Sequence, residues 1–247
     1  MLRNDATEYC GLNSGSLSHG FSELAPISMS EFLKGGTTHY YSKGSTLFVE
    51  GQPSNGVFVL ESGRVKLLAY SEEGRAIITR IAEPGEALGL PACVAGVSYE
   101  VTARLITDCR VRFIRHGDLL IMLRKDHKTA LGIIRALSRL YHASHFKICS
   151  LGLSTSASDK LSKLFLHWSE RTGIDAKSAS IRMNFTHEEL AEMIGTSRET
   201  VTRLIKSFKT RKLITLEGST QTIPDKAALR ETIGNRRSKA TARTAAP

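Results

Sequence analysis

Two Thr-x-x-Glu sequences lie ten residues apart in the C-terminal third of the chain, Thr186 with Glu189 and Thr196 with Glu199. In each pair, the Thr hydroxyl and the Glu carboxylate can satisfy backbone N–H groups that the first turn of a helix leaves unpaired. Gly195 lies between the two pairs and can adopt the positive φ that ends one helix and allows a tight turn into the next. The stretch therefore predicts two short helices joined by a tight turn.

Apolar residues repeat at helical spacing in both predicted helices. The first helix has Leu190, Ala191 and Ile194 on one face. The second has a longer stripe, made of Val201, Leu204, Ile205 and Phe208. The small Ala191 side chain lets the two helices approach closely, which is the geometry in which the second helix of a helix-turn-helix enters the major groove of DNA.

The side of the second helix that faces away from its apolar stripe is polar and charged. It carries Arg198, Glu199, Thr202, Arg203 and Lys206. Arg can bind guanine O6 and N7 together, and Glu can accept a hydrogen bond from cytosine N4. Residues 197–212 hold six Lys or Arg against one Glu. The alternative interpretation is a solvated basic face, but Glu199 fits a helix that reads bases better than one that only binds phosphates.

These segments resemble a known family. Residues 197–206 read S-R-E-T-V-T-R-L-I-K and residues 186–195 read T-H-E-E-L-A-E-M-I-G, similar to the recognition helix and the preceding helix of the CRP/FNR superfamily of bacterial transcription regulators. The resemblance implies that Arg198, Glu199 and Arg203 contact bases in each half-site of a palindrome. The further DNA-binding candidates are Ser197, Thr202, Lys206 and Thr186. The resemblance also implies a winged domain, with strands near residues 181–185 and 213–217 and a wing that closes at about residues 218–222.

Between about residues 38 and 115, short β-rich runs are separated by Gly, Pro, Ser and Asn at intervals of about ten residues. This pattern predicts an antiparallel β-barrel or jelly roll. Six glycines are predicted at its turns: Gly44, Gly51, Gly56, Gly63, Gly74 and Gly85. The string G-x-x-x-N-G-V-F-V-L-x-S-G-R-V-K-L resembles the cyclic-nucleotide-binding-type sensor domain that precedes the helix-turn-helix in the same superfamily.

Cyclic-nucleotide binders of that family follow a G-E-x-x-G-E-x start with an R-S or R-T pair about ten residues later. In this chain Leu90 stands where the Glu would hold the ribose, and Tyr99 and Glu100 stand where the pair would hold the phosphate. A phosphate that meets a carboxylate in place of a guanidinium loses on the order of several kcal/mol. We therefore expect that cAMP and cGMP are not bound in the usual way, and the effector remains unknown. The candidate pocket comprises Glu86, Gly89, Leu90, Tyr99 and Glu100, with Tyr141, Ser144 and His145 from a later helix.

A heptad pattern predicts that later helix. Residues at alternating spacings of four and three form its seam: Ala130, Ile134, Leu137, Tyr141, Ser144, Ile148 and Leu151. This alternation is typical of a two-stranded coiled coil and predicts a homodimer, which would read a palindrome with half-sites roughly 34 Å apart. Tyr141 and Ser144 interrupt the aliphatic seam, either to fix its register or to contact an effector. His142 and His145 are either surface residues, or they bind a haem or sense pH.

Composition narrows the function. A net charge of +10 favours an anionic partner. No apolar run approaches the length of a membrane span and residues 1–30 lack a secretory signal, so we expect a cytoplasmic protein without membrane contact. The chain has no P-loop, no G-x-S-x-G and no metal-ligand cluster, so neither catalysis nor a metal site is predicted.

The cysteines carry no recognisable framework. Cys10, Cys93, Cys109 and Cys149 are scattered without a C-x-x-C pair, which argues against disulfides and zinc and predicts mostly buried thiols. Only Cys10 lies near the N-terminus, so an iron–sulfur cluster, which the superfamily uses for redox sensing, is not expected.

Together these patterns predict an α+β protein in five parts. They are a flexible N-terminal arm (1–24), a cyclic-nucleotide-binding-like antiparallel β-barrel or jelly-roll sensor domain (25–120), a long dimerisation helix with a hinge (121–155), a winged helix-turn-helix DNA-binding domain (156–230) and a basic flexible tail (231–247). The leading hypothesis is a sequence-specific transcription regulator that reads a palindromic operator in double-stranded DNA as a homodimer, with RNA polymerase as the partner that the resemblance implies. The alternative is a constitutive or architectural DNA-binding protein with a degenerate sensor domain.

Overall fold

A computed structural model of the protein describes residues 35–154, 156–171, 179–182, 185–217 and 220–233. The predicted N-terminal arm, the tip of the predicted wing at residues 218–219 and residues 234–247 of the predicted tail lie outside the described residues. Cys10 lies outside them as well.

Eight strands form two four-stranded sheets in the N-terminal domain. They are β1 (Thr37–Tyr41), β2 (Thr46–Phe48), β3 (Gly56–Ser62), β4 (Val65–Tyr70), β5 (Ala76–Ala82), β6 (Ala87–Leu88), β7 (Thr102–Leu105) and β8 (Cys109–Arg115). The first sheet has the order β1-β8-β3-β6 and the second has the order β2-β7-β4-β5. All of these strand pairs are antiparallel. The jelly-roll-like sensor domain that the sequence predicts is therefore confirmed.

Apolar side chains from both sheets fill the space between them. Leu60 and Val111 come from the first sheet, Phe48 and Leu105 come from the second, and all four belong to one buried cluster. Burial of such side chains is the main stabilising contribution in a sandwich of this kind, at roughly 1.5–3 kcal/mol each. The interior of the domain is consequently a packed core.

Glycine is required at the predicted turn positions for two different structural reasons. Five of the six have a positive φ, as their turns require: Gly44, Gly51, Gly63, Gly74 and Gly85. The prediction was wrong for Gly56, which is the first residue of β3. A Cβ on Gly56 would lie 2.2 Å from the carbonyl oxygen of Ile114 in the neighbouring strand β8. Close packing of two strands, rather than a turn, is what requires glycine there.

Among the described residues of this region, one short helix lies between β6 and β7 and two more follow β8. They are α1 (Leu90–Ala95), α2 (His116–Lys125) and α3 (His127–Gly152). Val57 and Val59, on the outer face of the first sheet, share a buried cluster with Leu119 of α2 and with Ile133 and Ala136 of α3. Only one face of α3 is covered in this way. Of the large apolar side chains on its other side, the most exposed are Ile134, Tyr141 and Ile148, at 61%, 67% and 70%.

The C-terminal part of the chain is a winged helix-turn-helix. Its elements are α4 (Ala157–Arg171), β9 (Ala179–Arg182), α5 (His187–Ile194), α6 (Arg198–Thr210), β10 (Thr215–Glu217), β11 (Thr220–Ile223) and α7 (Lys226–Glu231). The three strands form an antiparallel sheet in the order β10-β11-β9. β9 begins two residues before the predicted strand and ends at Arg182.

The helix-turn-helix shares a hydrophobic core with the sensor domain. Leu68 of β4 and Ile78 of β5 belong to the same buried cluster as Leu190, Met193 and Ile194 of α5. The DNA-binding domain is therefore docked on the second sensor sheet through α5, the first helix of the helix-turn-helix. None of the described helices is long and apolar enough to cross a membrane.

Candidate DNA-binding site

The first helix of the motif, α5, begins as the sequence predicts. The Thr186 hydroxyl accepts a hydrogen bond from the backbone N–H of Glu189 at 3.1 Å, and the Glu189 carboxylate accepts one from the N–H of Thr186 at 2.9 Å. This reciprocal capping box satisfies two donors at the start of the helix. Gly195 ends the helix with φ 64° and ψ 53°, so the left-handed turn predicted there is confirmed as well.

The predicted cap of the second helix was wrong by one residue. α6 begins at Arg198, and Ser197 is its N-cap, with the Ser197 hydroxyl accepting from the N–H of Thr200 at 3.3 Å. Thr196 belongs instead to the turn that ends α5, where its N–H donates to the carbonyl oxygen of Ala191 at 3.0 Å. Glu199 is consequently the second residue of the helix.

The two faces of α6 differ sharply in exposure. Val201, Ile205 and Phe208 are buried in the domain core. The opposite face presents every side chain proposed to read DNA, all of them exposed: Arg198, Glu199, Thr202, Arg203 and Lys206. Because a recognition helix needs one face for packing and one for the groove, this division fits the function that the sequence predicts.

Glu199 remains ionised on this surface. Its own backbone N–H and then the Ser197 hydroxyl hold the pKa of the carboxyl below its ordinary value by hydrogen bonding, and the charge of Arg198 acts in the same direction. The helix N-terminus also favours a negative charge at this point. A carboxylate fixed in the charged form is a pure acceptor, which suits the N4 amino group of cytosine.

Further basic side chains lie toward the C-terminal end of α6. Lys206, Lys209, Arg211 and Lys212 are all exposed along the C-terminal half of α6 and just after it. At this end the helix dipole favours positive charge, and phosphates of a bound duplex would add attraction that weakens with salt.

One contact within the motif has no signal in the sequence. Nδ1 of His187, the first residue of α5, lies 2.9 Å from Oγ1 of Thr202 on α6. The two residues are fifteen positions apart, so neither capping patterns nor helical periodicity relates them. Only the packing angle between α5 and α6 brings them together.

Residues predicted to line an effector pocket inside the sensor domain are instead packed against each other. Tyr99 is 3% exposed, its ring stacks on Phe48 with a centroid distance of 4.1 Å, and its hydroxyl donates to the carbonyl oxygen of Gly56 at 2.7 Å. Burial raises the pKa of the Tyr99 hydroxyl. A Cβ on Gly89 would lie 2.6 Å from the Tyr99 ring, and Leu90 is buried.

The remaining predicted pocket residues are elsewhere. Glu86 is buried and forms an ion pair with Arg80, whose pKa burial lowers to about 10. Glu100 is exposed. On α3, Tyr141, Ser144 and His145 are exposed too. Of the eight residues, Glu86, Leu90 and Tyr99 are therefore buried, Gly89 is half-buried, and Glu100, Tyr141, Ser144 and His145 are exposed.

An open depression of about 590 Å³ lies on the outer face of the first sensor sheet. Its lining residues are Thr38, Tyr40, Val59, Leu60, Glu61, Gly85, Arg110 and Arg112, none of which was predicted for the pocket. The Glu61 carboxylate holds Nε of Arg110 at 2.7 Å and Nε of Arg112 at 2.8 Å. Both guanidinium groups therefore form ion pairs with Glu61.

Charged side chains tie the helix-turn-helix to the rest of the molecule. Nζ of Lys66 on β4 lies 3.0 Å from Oε2 of Glu192 and 4.0 Å from Oε1 of Glu189, both on α5. Nζ of Lys147 on α3 donates to the carbonyl oxygen of Met193 at 2.6 Å. Sequence reasoning missed both contacts, because each joins residues that are 46 or more positions apart.

The predicted seam on α3 is exposed in parts. Ile134, Tyr141, Ser144 and Ile148 are exposed, whereas Ala130 and Leu151 are half-buried. Leu137 is partly buried against the sensor core. The pairing of this face with a second copy stays a prediction.

The cysteines and histidines form no cluster with metal-binding potential within the described ranges, which hold three of the four cysteines. Cys93 and Cys109 are buried, and burial raises the pKa of both thiols. Cys149 is half-buried, with its sulfur 4.0 Å from the ring nitrogens of His145.

Two family models match the chain in the order that the structure presents. A cyclic nucleotide-binding domain matches residues 38–126, and a Crp-like helix-turn-helix domain matches residues 159–232. A CRP-like cAMP-activated global transcriptional regulator of Mycobacterium tuberculosis is 26% identical over 190 residues, which cover 76% of this chain and 84% of that protein.

A second relative and a solved structure are also similar to this chain. The nitrogen fixation regulation protein FixK of Azorhizobium caulinodans is 23% identical over 198 residues, covering 79% of this chain and 78% of FixK. Among solved structures, FixK2 from Bradyrhizobium japonicum superposes with a TM-score of 0.68 at 20% identity, covering 80% of this chain and 96% of that one. At this identity the superposition establishes a common fold.

Proposed function

Because the chain belongs to the CRP/FNR superfamily of transcription regulators, we propose that it acts as a homodimer in which each recognition helix reads one half of a palindromic operator. Arg198, Glu199 and Arg203 are the proposed base-reading residues. Ser197, Thr186 and Lys206 are proposed to contact the flanking phosphates. RNA polymerase is the partner that this role implies.

The observation that carries the proposal is the exposed face of α6. Its N-terminal turn presents Arg198 and Glu199, and Arg203 lies just over one turn further along. Arg and Glu read guanine and cytosine respectively, so this face has the chemistry to distinguish a G·C pair from its reverse. A helix that only bound phosphates would gain no DNA contact from an ionised carboxylate at this point.

The interior of the sensor domain is filled by its own side chains. Tyr99 occupies the interior as a stacked, hydrogen-bonded core residue, and Leu90 is buried in the cluster that the first sheet forms with α2 and α3. Opening a nucleotide site there would break the hydrogen bond from Tyr99 to Gly56 and expose apolar surface, at a cost of at least about 2 kcal/mol. The proposal is therefore a regulator that does not bind cAMP or cGMP in the way the family's cyclic-nucleotide binders do.

The same closed interior supports a second candidate function. A sensor domain without an effector site would make the protein a constitutive or architectural DNA binder. Under this alternative, operator affinity would be independent of any small molecule.

Homodimer formation is supported by the apolar surface left on α3. Ile134, Tyr141 and Ile148 recur every seven residues and are each more than 60% exposed. Exposed apolar residues at heptad spacing along a long helix are typical of a coiled-coil seam. Pairing through this face would relate two recognition helices by a twofold axis, as a palindrome requires.

Selection of bound fragments from a random DNA pool, with the full chain in the presence and absence of cell extract, tests the proposal. We expect an enriched palindrome whose half-sites are about one helical turn apart. Enrichment of a single half-site, or of no sequence, would contradict the dimeric reading. An operator affinity that does not respond to extract would favour the constitutive alternative.

Calorimetry with cAMP and with cGMP tests the sensor separately. We expect no binding at micromolar concentrations to the wild-type chain. Tight binding of either nucleotide would show that the nucleotide site does not coincide with Leu90, Tyr99 and Glu100.

A further inference from the structure

The contact between His187 and Thr202 restricts what the recognition helix can offer to a base. Nδ1 of His187 lies 2.9 Å from Oγ1 of Thr202, and the same Oγ1 donates to the backbone carbonyl oxygen of Arg198 at 2.9 Å. His187 is half-buried and Thr202 is exposed. The hydroxyl of Thr202 thus has two protein partners before any DNA arrives.

The directions of these two hydrogen bonds follow from their atoms. A carbonyl oxygen only accepts, so the single hydroxyl hydrogen of Thr202 goes to Arg198. Oγ1 must then accept from His187, which means that Nδ1 of the imidazole carries a hydrogen. The hydroxyl has no hydrogen left to donate to a base and keeps only one lone pair of Oγ1, so the γ-methyl is the group through which this side chain can make an apolar contact.

Thr202 lies in the centre of the proposed base-reading face. It is one turn after Arg198 and one turn before Lys206 on the same side of α6, and Arg203 follows it in sequence. Residues four apart on a helix project next to one another, so a base pair read by Arg198 has a neighbour that faces Thr202. In the major groove, a small apolar group between two long basic side chains can make an apolar contact with the methyl group of thymine.

We propose that Thr202 recognises a thymine through its γ-methyl group and that His187 is the positioning residue that holds the methyl toward the DNA. Thymine is the base that presents a methyl group at its major-groove edge, and a Thr methyl is a suitable contact for it. This inference rests on the proposed base-reading role of α6 and adds a second kind of readout beside the hydrogen bonds of Arg198, Glu199 and Arg203.

Replacement of thymine by deoxyuridine tests the methyl contact, since it removes only the 5-methyl group. The probe is the palindrome selected with the full chain, with each thymine replaced in turn in both half-sites. We expect one thymine per half-site whose replacement weakens wild-type binding about fourfold per half-site, as expected for one buried methyl. Uniform affinity across all the replacements would overturn the proposal.

Two substitutions of Thr202 separate the methyl from the hydroxyl. Thr202→Val replaces the hydroxyl with a second γ-methyl, so a methyl faces the DNA without the contact to His187, and we expect this variant to keep the thymine preference. Thr202→Ser keeps the hydroxyl and loses the methyl, and we expect it to bind the thymine and deoxyuridine operators equally. The reverse pattern would assign recognition to the hydroxyl and overturn the proposal.

The positioning role of His187 requires a double-mutant cycle. We expect His187→Ala to reduce the thymine-to-deoxyuridine ratio at that one position in the wild-type background and to leave it unchanged in the Thr202→Val background, since Val has no acceptor for the imidazole. A loss of affinity that is equal on operator and random DNA, with the ratio intact, would assign His187 to phosphate binding and overturn its positioning role.

The failure of this inference is distinguishable from the failure of the proposed function. If the chain enriches no operator, the base-reading role itself is wrong. If it enriches a palindrome and Arg203→Ala weakens that binding, but no single thymine responds to deoxyuridine, only the methyl readout is wrong.

Discussion

Nζ of Lys147 in the long helix α3 lies 2.6 Å from the backbone carbonyl oxygen of Met193, in the last turn of the first helix of the helix-turn-helix. The C-terminal end of a helix carries a partial negative charge, so a cationic donor there is favourable. Lys66 approaches α5 from the sensor sheet and pairs with Glu192. The helix that packs against the recognition helix is therefore held from both α3 and the sensor domain.

We expect stability at alkaline pH to depend on Lys147. Burial, reinforced by the nearby charge of Lys160, lowers the pKa of Lys147 from 10.5 to about 8. Because this pKa is lower in the folded protein, unfolding takes up a proton between about pH 8 and 10.5. Stability from this group rises with pH across that range.

The measurement compares the wild type with Lys147→Met in urea unfolding followed by the fluorescence of Trp168, the single Trp of the chain. The stability of the wild type should rise by ~1–3 kcal/mol relative to the variant between pH 7.5 and 10. Lys209→Met, at an exposed position, is the control and should show the wild-type slope. Parallel pH profiles for wild type and Lys147→Met would refute the burial of a charged amine.

Lys66 is expected to hold the DNA-binding domain on the sensor sheet. Its side chain and that of Glu192 are 15% and 19% exposed, so loss of the cation leaves a largely buried carboxylate unpaired. We expect Lys66→Met to destabilise the docked arrangement by about 1–2 kcal/mol, which is roughly a tenfold loss of hydrogen-exchange protection or more in β4 and α5. Lys43→Met, on an exposed turn of the sensor domain, should leave exchange in both elements unchanged. Equal exchange rates in the two variants would exclude this role.

The sequence was informative where a residue's partner is close along the chain. The capping box of Thr186 and Glu189, the turn at Gly195 and the existence of the long helix α3 all depend on neighbours within a few residues, and local patterns reveal them. The cap of α6 was misplaced because Thr196 and Ser197 are both good N-cap residues. In the structure Thr196 belongs to the turn that ends α5 and Ser197 is the cap.

Contacts between distant segments had no such signal. Lys66 is an ordinary strand residue in the sequence, and nothing near it indicates Glu192, 126 positions later. The interior position of Tyr99 was equally hidden. Comparison with a family motif identified what is missing at that position, whereas only the packed structure shows that the ring fills the space against Phe48.

Arg203→Ala should separate specific from nonspecific DNA binding. A bidentate contact from Arg to guanine is worth about 1–3 kcal/mol of discrimination, so we expect a loss of this size on the selected palindrome and little change on random DNA. Arg211→Ala removes an exposed cation beyond the end of α6. It should weaken binding to both DNAs alike and reduce the salt dependence of binding, as a phosphate contact would. Equal losses for Arg203→Ala on both DNAs would assign Arg203 to phosphate binding.

Ile148→Asp is expected to dissociate the proposed dimer. Ile148 is 70% exposed, so a charge there perturbs little within one subunit but would be buried without a partner in a coiled-coil seam. Leu137 is a poorer choice because it packs partly against the sensor core, and its replacement would confuse unfolding with dissociation.

Arg135→Asp, on an exposed position of α3 outside the seam, is the control. In sedimentation velocity we expect monomers for Ile148→Asp and dimers for Arg135→Asp. Operator affinity should fall with the loss of the dimer, because a monomer contacts a single half-site. A dimer that survives Ile148→Asp unchanged would place the subunit interface elsewhere on the molecule.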